Sequence, residues 1–334
     1  MRAAAVLVVA GVVALLAVIP AGATAPGENG EITFRRFIGP GDGVSTIFTI
    51  RPDGTGERQV SQPPEDSFDE FPDYASDGSL IAFTRCGPPV CKVMIARPDG
   101  SGVREVSPRC RRPPTEDRIG PGCSDNFYPA LSPDGRRVAF THAFGRIKND
   151  QIDHAGIYSA RVGGGGLRKV TLPPKRTAED NEVQWSPDGR KLVFVRTFYD
   201  VHSNELKQAI YTVRADGSGL RRVTPFSLNA GDGPDWSPDG SRILFRSPEN
   251  DTFLGSQLYT IRPDGSGLRQ VTHVPDGTTL YSASFSPDGT RITAAMQGVG
   301  GAADIYTMNT DGTGITPVTR TEVRDSAPDW GGAG

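Results

Sequence analysis

The segment Asp235-Trp236-Ser237-Pro238-Asp239-Gly240 leads into Arg242-Ile243-Leu244-Phe245, then Gln257-Leu258-Tyr259-Thr260-Ile261, then Arg262-Pro263-Asp264-Gly265, and then Leu268-Arg269-Gln270-Val271-Thr272. Short runs rich in β-branched and aromatic residues alternate with turn residues. Together with Asp235-Trp236 they read as four strands linked by tight turns. In Ser237-Pro238-Asp239-Gly240 the proline presets φ, the aspartate caps the turn with its side chain, and the glycine takes the left-handed position. Several of the runs are apolar on both faces, as expected of a sheet sandwiched between two neighbouring sheets.

The unit recurs. Ser132-Pro133-Asp134-Gly135, Ser186-Pro187-Asp188-Gly189 and Ser286-Pro287-Asp288-Gly289 repeat the first turn, with Ala75-Ser76-Asp77-Gly78 as a degenerate copy; the glycines step by 57, 54, 51 and 49 residues. The second turn repeats as Arg51-Pro52-Asp53-Gly54, Arg97-Pro98-Asp99-Gly100, Arg214-Ala215-Asp216-Gly217 and Asn309-Thr310-Asp311-Gly312, with Arg161-Val162-Gly163-Gly164 the weakest copy. A four-stranded unit of this length in tandem is a propeller blade.

There are six turns of the second kind but five of the first, and the termini account for the difference. The chain ends Ser326-Ala327-Pro328-Asp329-Trp330, which matches Gly233-Pro234-Asp235-Trp236, and the domain begins Glu31-Ile32-Thr33-Phe34, which matches the strand after the first turn. The C-terminal residues therefore supply the innermost strand of a blade whose other strands come from the N-terminus, closing the ring without an open edge. The sequence predicts an all-β, six-bladed propeller of four-stranded antiparallel blades.

An aromatic-Ser-Pro-Asp-Gly turn, an Ile-x-Phe strand and an Ile-Tyr-x-x-x-x-Asp-Gly turn together resemble the TolB-like propeller repeat, a WD40-like (PD40) module, over residues 31 to 330. The family's namesake carries an additional α/β domain before its propeller. Here only a leader and a few residues precede the first blade, so the chain is expected to resemble the propeller without being that protein.

Bulk composition agrees. Hydrophobic residues are 36% and charged residues 22% of 334, a globular balance, and the 41 glycines and 28 prolines suit a turn-rich fold. A net charge of −3 gives no sign of a polyanion partner, so nucleic-acid binding is not expected. Arg2, the apolar stretch Ala3 to Ile19, Pro20 and Ala21-Gly22-Ala23 read as a signal peptide over 1–23, with Thr24 as the new N-terminus. An uncleaved anchor is the alternative, because about 17 apolar residues is the lower limit for a span. Residues 24–30 form a linker and 31–334 the propeller. The expected location is periplasmic or extracellular, and the expected state a monomer.

Export makes Cys86, Cys91, Cys110 and Cys123 candidates for disulfides. Local pairing, 86 with 91 and 110 with 123, is the expectation among three connectivities. Zinc is the rival, but these spacings do not make paired C-x₂-C knuckles.

Propellers bind at the mouth of the central channel, where innermost strands begin. In this repeat the residues there are Asp69, Glu70, Asn126, Asp180, Asn181, Glu182, Asp232, Ser282, Asp325 and Ser326. A ring of oxygens could hold a Ca²⁺ in the channel, attract a basic or amine-bearing peptide, or simply form a solvated rim. Trp185, Trp236 and Trp330 share one repeat position with Tyr74, Leu131 and Phe285, which points to blade-to-blade packing. The recurring turn arginines are expected to pair locally at the outer edge. His142, His154 and His202 fall in the longer loops with Asp150, Asp153, Asp200 and Glu205, without a ligand spacing. No G-x-S-x-G nucleophile elbow and no phosphate-binding G-x-x-x-x-G-K-[ST] loop occurs.

The functional expectation is an exported, protein-binding scaffold of the cell envelope that presents the channel mouth and the loops 108–124, 142–154 and 198–208 to a protein or peptide. The alternative is a propeller-fold lyase or hydrolase acting on carbohydrate or small ester substrates through the histidines.

Overall fold

The computed structural model describes residues 27–38, 43–108, 118–119, 124–148, 151–174, 177–200, 205–247 and 255–333. The leader, Cys110, Cys123, Asp150, His202 and most of the 108–124 loop lie outside them.

Six sheets form the ring. Blade 1 contains β1 (Asn29–Phe37), β2 (Ser45–Ile50) and β3 (Arg58–Gln59). Blade 2 is β4 (Phe68–Tyr74), β5 (Ile81–Cys86), β6 (Lys92–Ala96) and β7 (Arg104–Glu105). Blade 3 adds a short β8 (Arg118–Ile119) to β9 (Asp125–Leu131), β10 (Arg137–Lys148), β11 (Gln151–Arg161) and β12 (Arg168–Lys169). Blade 4 is β13 (Ala178–Trp185), β14 (Lys191–Asp200), β15 (Glu205–Arg214) and β16 (Arg221–Arg222). Blade 5 is β17 (Gly231–Trp236), β18 (Ile243–Ser247), β19 (Gln257–Ile261) and β20 (Arg269–Gln270). Blade 6 is β21 (Thr279–Phe285), β22 (Arg291–Gln297), β23 (Ala303–Asn309) and β24 (Thr316–Pro317). β25 (Asp325–Gly332) then pairs antiparallel with β1, Trp330 opposite Ile32 and Asp325 opposite Arg36, and closes the ring as the repeat count required.

Each turn forms as its residues dictate. Gly135 N–H donates to Ser132 O (2.8 Å), and Asp134 Oδ1 accepts from Ser132 Oγ (2.6 Å) and the Arg136 amide (3.1 Å). The turn arginines fold over their own turns, as Arg51 does toward Thr55 and Arg262 toward Ser266. The outermost strands are only two residues long, and a hydroxyl extends each. Ser61, Ser107, Thr171, Thr224, Thr272 and Thr319 each accept a backbone N–H from the neighbouring strand, at 2.9–3.2 Å. That is the structural use of the recurring Val-Ser/Thr ending.

The core lies between blades. Ala139 and Ile157 of blade 3 pack on Trp185, Leu192 and Phe194 of blade 4, and Val193 and Ile210 of blade 4 pack on Trp236, Ile243 and Phe245 of blade 5. Trp330, Ile32 and Phe34 meet Ala295 and Ile305 of blade 6. Trp185, Trp236 and Trp330 are 5–7% exposed, so the repeated aromatic is an interface wedge. Burial of both faces explains why the strands carry no clean alternation of apolar and polar residues.

Two hairpins rise above the ring. β18–β19 pairs only to Ser247 and Gln257, whereas β10–β11 continues to Lys148 opposite Gln151 and β14–β15 to Asp200 opposite Glu205. At about 3.4 Å per residue, the paired strands run roughly 17 Å in blade 3 and roughly 7 Å in blade 4 beyond the residues opposite the start of their innermost strands, Ala143 opposite Asp125 and Phe198 opposite Ala178. They rise at the end where Asp125 pairs Ala143, which is the channel mouth.

Cys86 and Cys91 form a disulfide across a sequence separation of 5, with Cα atoms 4.0 Å apart. Among the described residues no helix is long and apolar enough to cross a membrane.

Candidate functional site

The residues expected at the channel mouth divide into two groups. Asp69, Asp180 and Asp325 do not face the lumen. Each is 0% exposed and grips an arginine on the adjacent strand of its own blade. Asp69 accepts from Arg85 Nε and Nη2 at 2.7 and 2.8 Å, Asp180 from Arg196 at 2.5 and 2.8 Å, and Asp325 from Arg36 at 2.7 and 2.8 Å. Thr171 Oγ1 adds a 2.6 Å bond to Asp180. Burial pushes the Asp180 and Asp325 carboxyls up while the guanidinium bonds pull against it. In blade 5 the same pairing falls one residue later, with Asp232 Oδ2 2.8 Å from Arg246 Nε.

In blade 3 the position is polar but uncharged: His142 lies opposite Asn126, with Nδ1 2.8 Å from the Asn126 Oδ1 acceptor. Burial lowers His142 to about 4, so the ring is neutral, with its Nδ1 proton directed at the amide oxygen. In blade 6 the clasp is replaced by Leu280 opposite Met296. These residues are therefore a repeating structural clasp between the first and second strands. Glu70 pairs with Arg35 at 2.9 Å, Ser326 Oγ accepts from Arg35 Nε at 3.1 Å, and Asn181 bonds Glu179.

Glu182, Asp232 and Ser282 do line the lumen, in company the sequence reading overlooked. Each innermost strand carries a register shift three or so residues before the large apolar residue at its end, aromatic in every blade but the third, which has Leu131. At that bulge Phe71, Tyr128, Glu182 and Ala327 have φ of 51°, 50°, 55° and 51°, Gly233 has 61°, and Asp232 has 58°. Left-handed backbone at a bulky non-glycine residue is strained, and strain of this kind gathers at functional positions. Pro72, Pro129, Pro234 and Pro328 follow, where an innermost edge strand needs no N–H donor. Together they enclose a cavity of about 100 Å³ at the channel mouth.

The lumen is chemically asymmetric. Blades 2 and 3 contribute Phe71 and Tyr128, ring centroids 4.2 Å apart; blades 4 and 5 contribute Glu182 and Asp232; blades 6 and 1 contribute the small Ser282 and Ala327. Glu182 Oε2 accepts from the Gly233 amide at 2.8 Å, and Ser282 Oγ donates to Asp232 at 3.3 Å. Burial raises the Tyr128 hydroxyl well above its ordinary value, and the negative charges of Glu182, Glu70 and Asp232 add to this. Arg35 sits 5.4 Å from the Phe71 ring and 4.4 Å from Phe37.

Deeper in the channel a second set of side chains ties the blades together. Asp329 Oδ2 accepts from the Tyr74 amide, Asp73 Oδ2 from Leu131 and Asp235 Oδ2 from Phe285, each at 2.7 Å, and Ser284 Oγ accepts from the Trp330 amide at 3.1 Å. Gln184 Nε2 donates to Asp73 Oδ1 at 2.7 Å. Burial pushes all three carboxyls up; the charge of Asp329 raises Asp73 and Asp235 further, and Asp235 reaches about 8.

The signal for these positions was present as x-Pro-Asp before the aromatic, in Phe71-Pro72-Asp73, Gly233-Pro234-Asp235 and Ala327-Pro328-Asp329. A proline within a strand marks an edge or a bulge.

His142 lies among rings, 4.5 Å from Tyr158 and 5.3 Å from Phe144, and His154 lies 5.1 Å from Phe144 on the opposing strand. Among the described residues no three His, Cys, Asp or Glu side chains are arranged to hold a metal ion.

Comparison with known proteins places the fold. No family model matches. Dipeptidyl-peptidase 5 of Porphyromonas gingivalis is 39% identical over 69 residues, 21% of this chain, and the match spans only 10% of that protein's length. The crystal structure of TolB from Acinetobacter baumannii superposes with a TM-score of 0.65 at 17% identity, covering 91% of this chain and 67% of that one. A putative TolB from Agrobacterium tumefaciens superposes with a TM-score of 0.60 at 18% identity, covering 90% and 91%. At these identities the likeness is one of fold: the chain has the six-bladed β-propeller fold seen in those TolB structures.

Proposed function

We propose that the chain is an exported scaffold of the cell envelope that binds a protein or peptide at its channel mouth. The observation that carries this reading is the asymmetric lumen. Six strands end in bulges that direct Phe71, Tyr128, Glu182, Asp232, Ser282 and Ala327 to one cavity. Strain at such positions persists only when the surrounding structure over-determines it. The hairpins of blades 3 and 4 stand over one side of this mouth and offer an approaching chain a wall. A rigid ring with loops raised on one face suits recognition.

The test is affinity capture from an envelope extract, with wild-type protein and Ser282→Trp as parallel baits. Trp in place of Ser282 fills the lumen and gives up the 3.3 Å bond to Asp232 of the neighbouring blade. A partner recovered by the wild type and lost with Ser282→Trp supports the reading. The same set of proteins on both baits would remove the lumen from the account.

A further inference from the structure

We propose that the channel mouth takes a cationic group on an apolar stem, namely a lysine or arginine side chain or a chain's N-terminal ammonium. The inference rests on the channel mouth being the binding site and specifies the chemistry of what enters it.

Three features of the lumen converge. Its lining carries five acidic side chains and no Lys, Arg or His: Glu182 and Asp232 at the mouth, Asp232 also held 2.8 Å from Arg246 behind the wall, and Asp73, Asp235 and Asp329 beneath. A narrow cavity lined by one sign of charge focuses potential, so a cation entering it gains more than it would at an open surface. Burial raises the proton affinity of the deeper three, and the charge of Asp329 adds to this at Asp73 and Asp235, so near neutral pH they are acids that an entering cation would draw toward ionisation.

The second feature is the Phe71–Tyr128 pair, centroids 4.2 Å apart, beside those carboxylates. An aromatic wall next to a carboxylate suits an organic cation, which is held by ring faces and by charge together. A hard metal ion wants oxygen on all sides. Here much of the wall is aromatic, proline, valine or alanine, and among the described residues no metal-holding group of side chains exists.

The third feature lies one step deeper. Among the described residues the Trp236 indole N–H, on a residue 6% exposed, has no acceptor, although Trp236 lines the continuing channel. Its counterparts Trp185 and Trp330 donate to the carbonyls of Ala130 and Gly30 at 3.1 and 3.3 Å. A buried donor left without a partner is costly, and a carbonyl on an entering peptide stem would satisfy it.

The experiment is calorimetric titration of the protein as recovered from its producing cell. The probes are n-hexylammonium, hexanoate, calcium chloride, Nα-acetyl-lysine amide (side-chain ammonium only) and alanyl-leucinamide (terminal ammonium only). The expected result is saturable binding of n-hexylammonium and of at least one of the last two, which identifies the source of the cation, with none for hexanoate. Glu182→Gln keeps the acceptor for the Gly233 amide and removes the charge; it should weaken that binding about tenfold or more.

Equal binding of hexanoate, or binding of calcium without n-hexylammonium, overturns the inference. So does an unchanged affinity in Glu182→Gln. If no probe binds but Ser282→Trp still abolishes partner capture, the cation inference fails while the channel-mouth reading stands. If capture is also indifferent to Ser282→Trp, both fail.

Discussion

Asp69 and Arg85 face each other across the first two strands of blade 2, both carboxylate oxygens bonded to the guanidinium at 2.7 and 2.8 Å, with Asp69 0% exposed. The same clasp recurs as Asp180–Arg196 and Asp325–Arg36. It converts what looks like an acidic rim in the sequence into a structural repeat, and it shapes the mutations worth making.

Removing one partner of a buried pair strands the other charge. Asp180→Ala is expected to destabilise the fold by about 3–5 kcal/mol, measured by denaturant unfolding. Blade 6 shows an alternative at the same position, Leu280 against Met296. The double replacement Asp180→Leu with Arg196→Met should therefore recover most of that loss. A double variant as unstable as the single one would contradict the clasp's independence from its surroundings.

The channel carboxyls predict a pH dependence of stability. Asp73, Asp235 and Asp329 are raised in the folded chain, Asp235 to about 8. An unfolded aspartate ionises near 3.9. Between those values the unfolded state gives up its proton and the folded state keeps it, so the contribution is full below about pH 4 and is lost as pH rises toward about 8. Thermal melting should fall across that window, and Asp235→Asn should flatten the slope. A melting temperature that rises from pH 4 to pH 8 would contradict the assignment.

The bulges predict an unusual response to glycine. Ala327 is 9% exposed with φ 51°, and Ala82 is 0% exposed in β5. Ala82→Gly should cost about 1 kcal/mol, as glycine does in a strand. Ala327→Gly should be neutral or stabilising by up to about 1 kcal/mol, because it relieves left-handed strain. Equal losses at both sites would remove the argument from strain.

The ring, its blade number and its closure were legible because two turns recur at near-constant spacing and Ser326 to Trp330 repeats the motif before Ser237. The disulfide between Cys86 and Cys91 was legible from their proximity in the chain. The lumen was only partly legible. Glu182, Asp232 and Ser282 line the cavity at the mouth, whereas Asp69, Asp180 and Asp325, grouped with them in the sequence, are buried in clasps, because strand parity alone does not see a bulge. One inserted residue per strand shifts which side chains reach the axis. Phe71 and Tyr128 went unnoticed for the same reason, with Pro72 and Pro129 as the unused signal.

The central claim is that recognition happens inside the channel mouth. It is tested most directly by placing a photo-crosslinking amino acid at Ser282, in the lumen, and separately at Leu220, 46% exposed beside the second turn of blade 4. Each protein is irradiated in envelope extract. The account predicts a saturable, discrete adduct from position 282 and none from position 220. Adducts from position 220 alone would place recognition on the outer rim and contradict it.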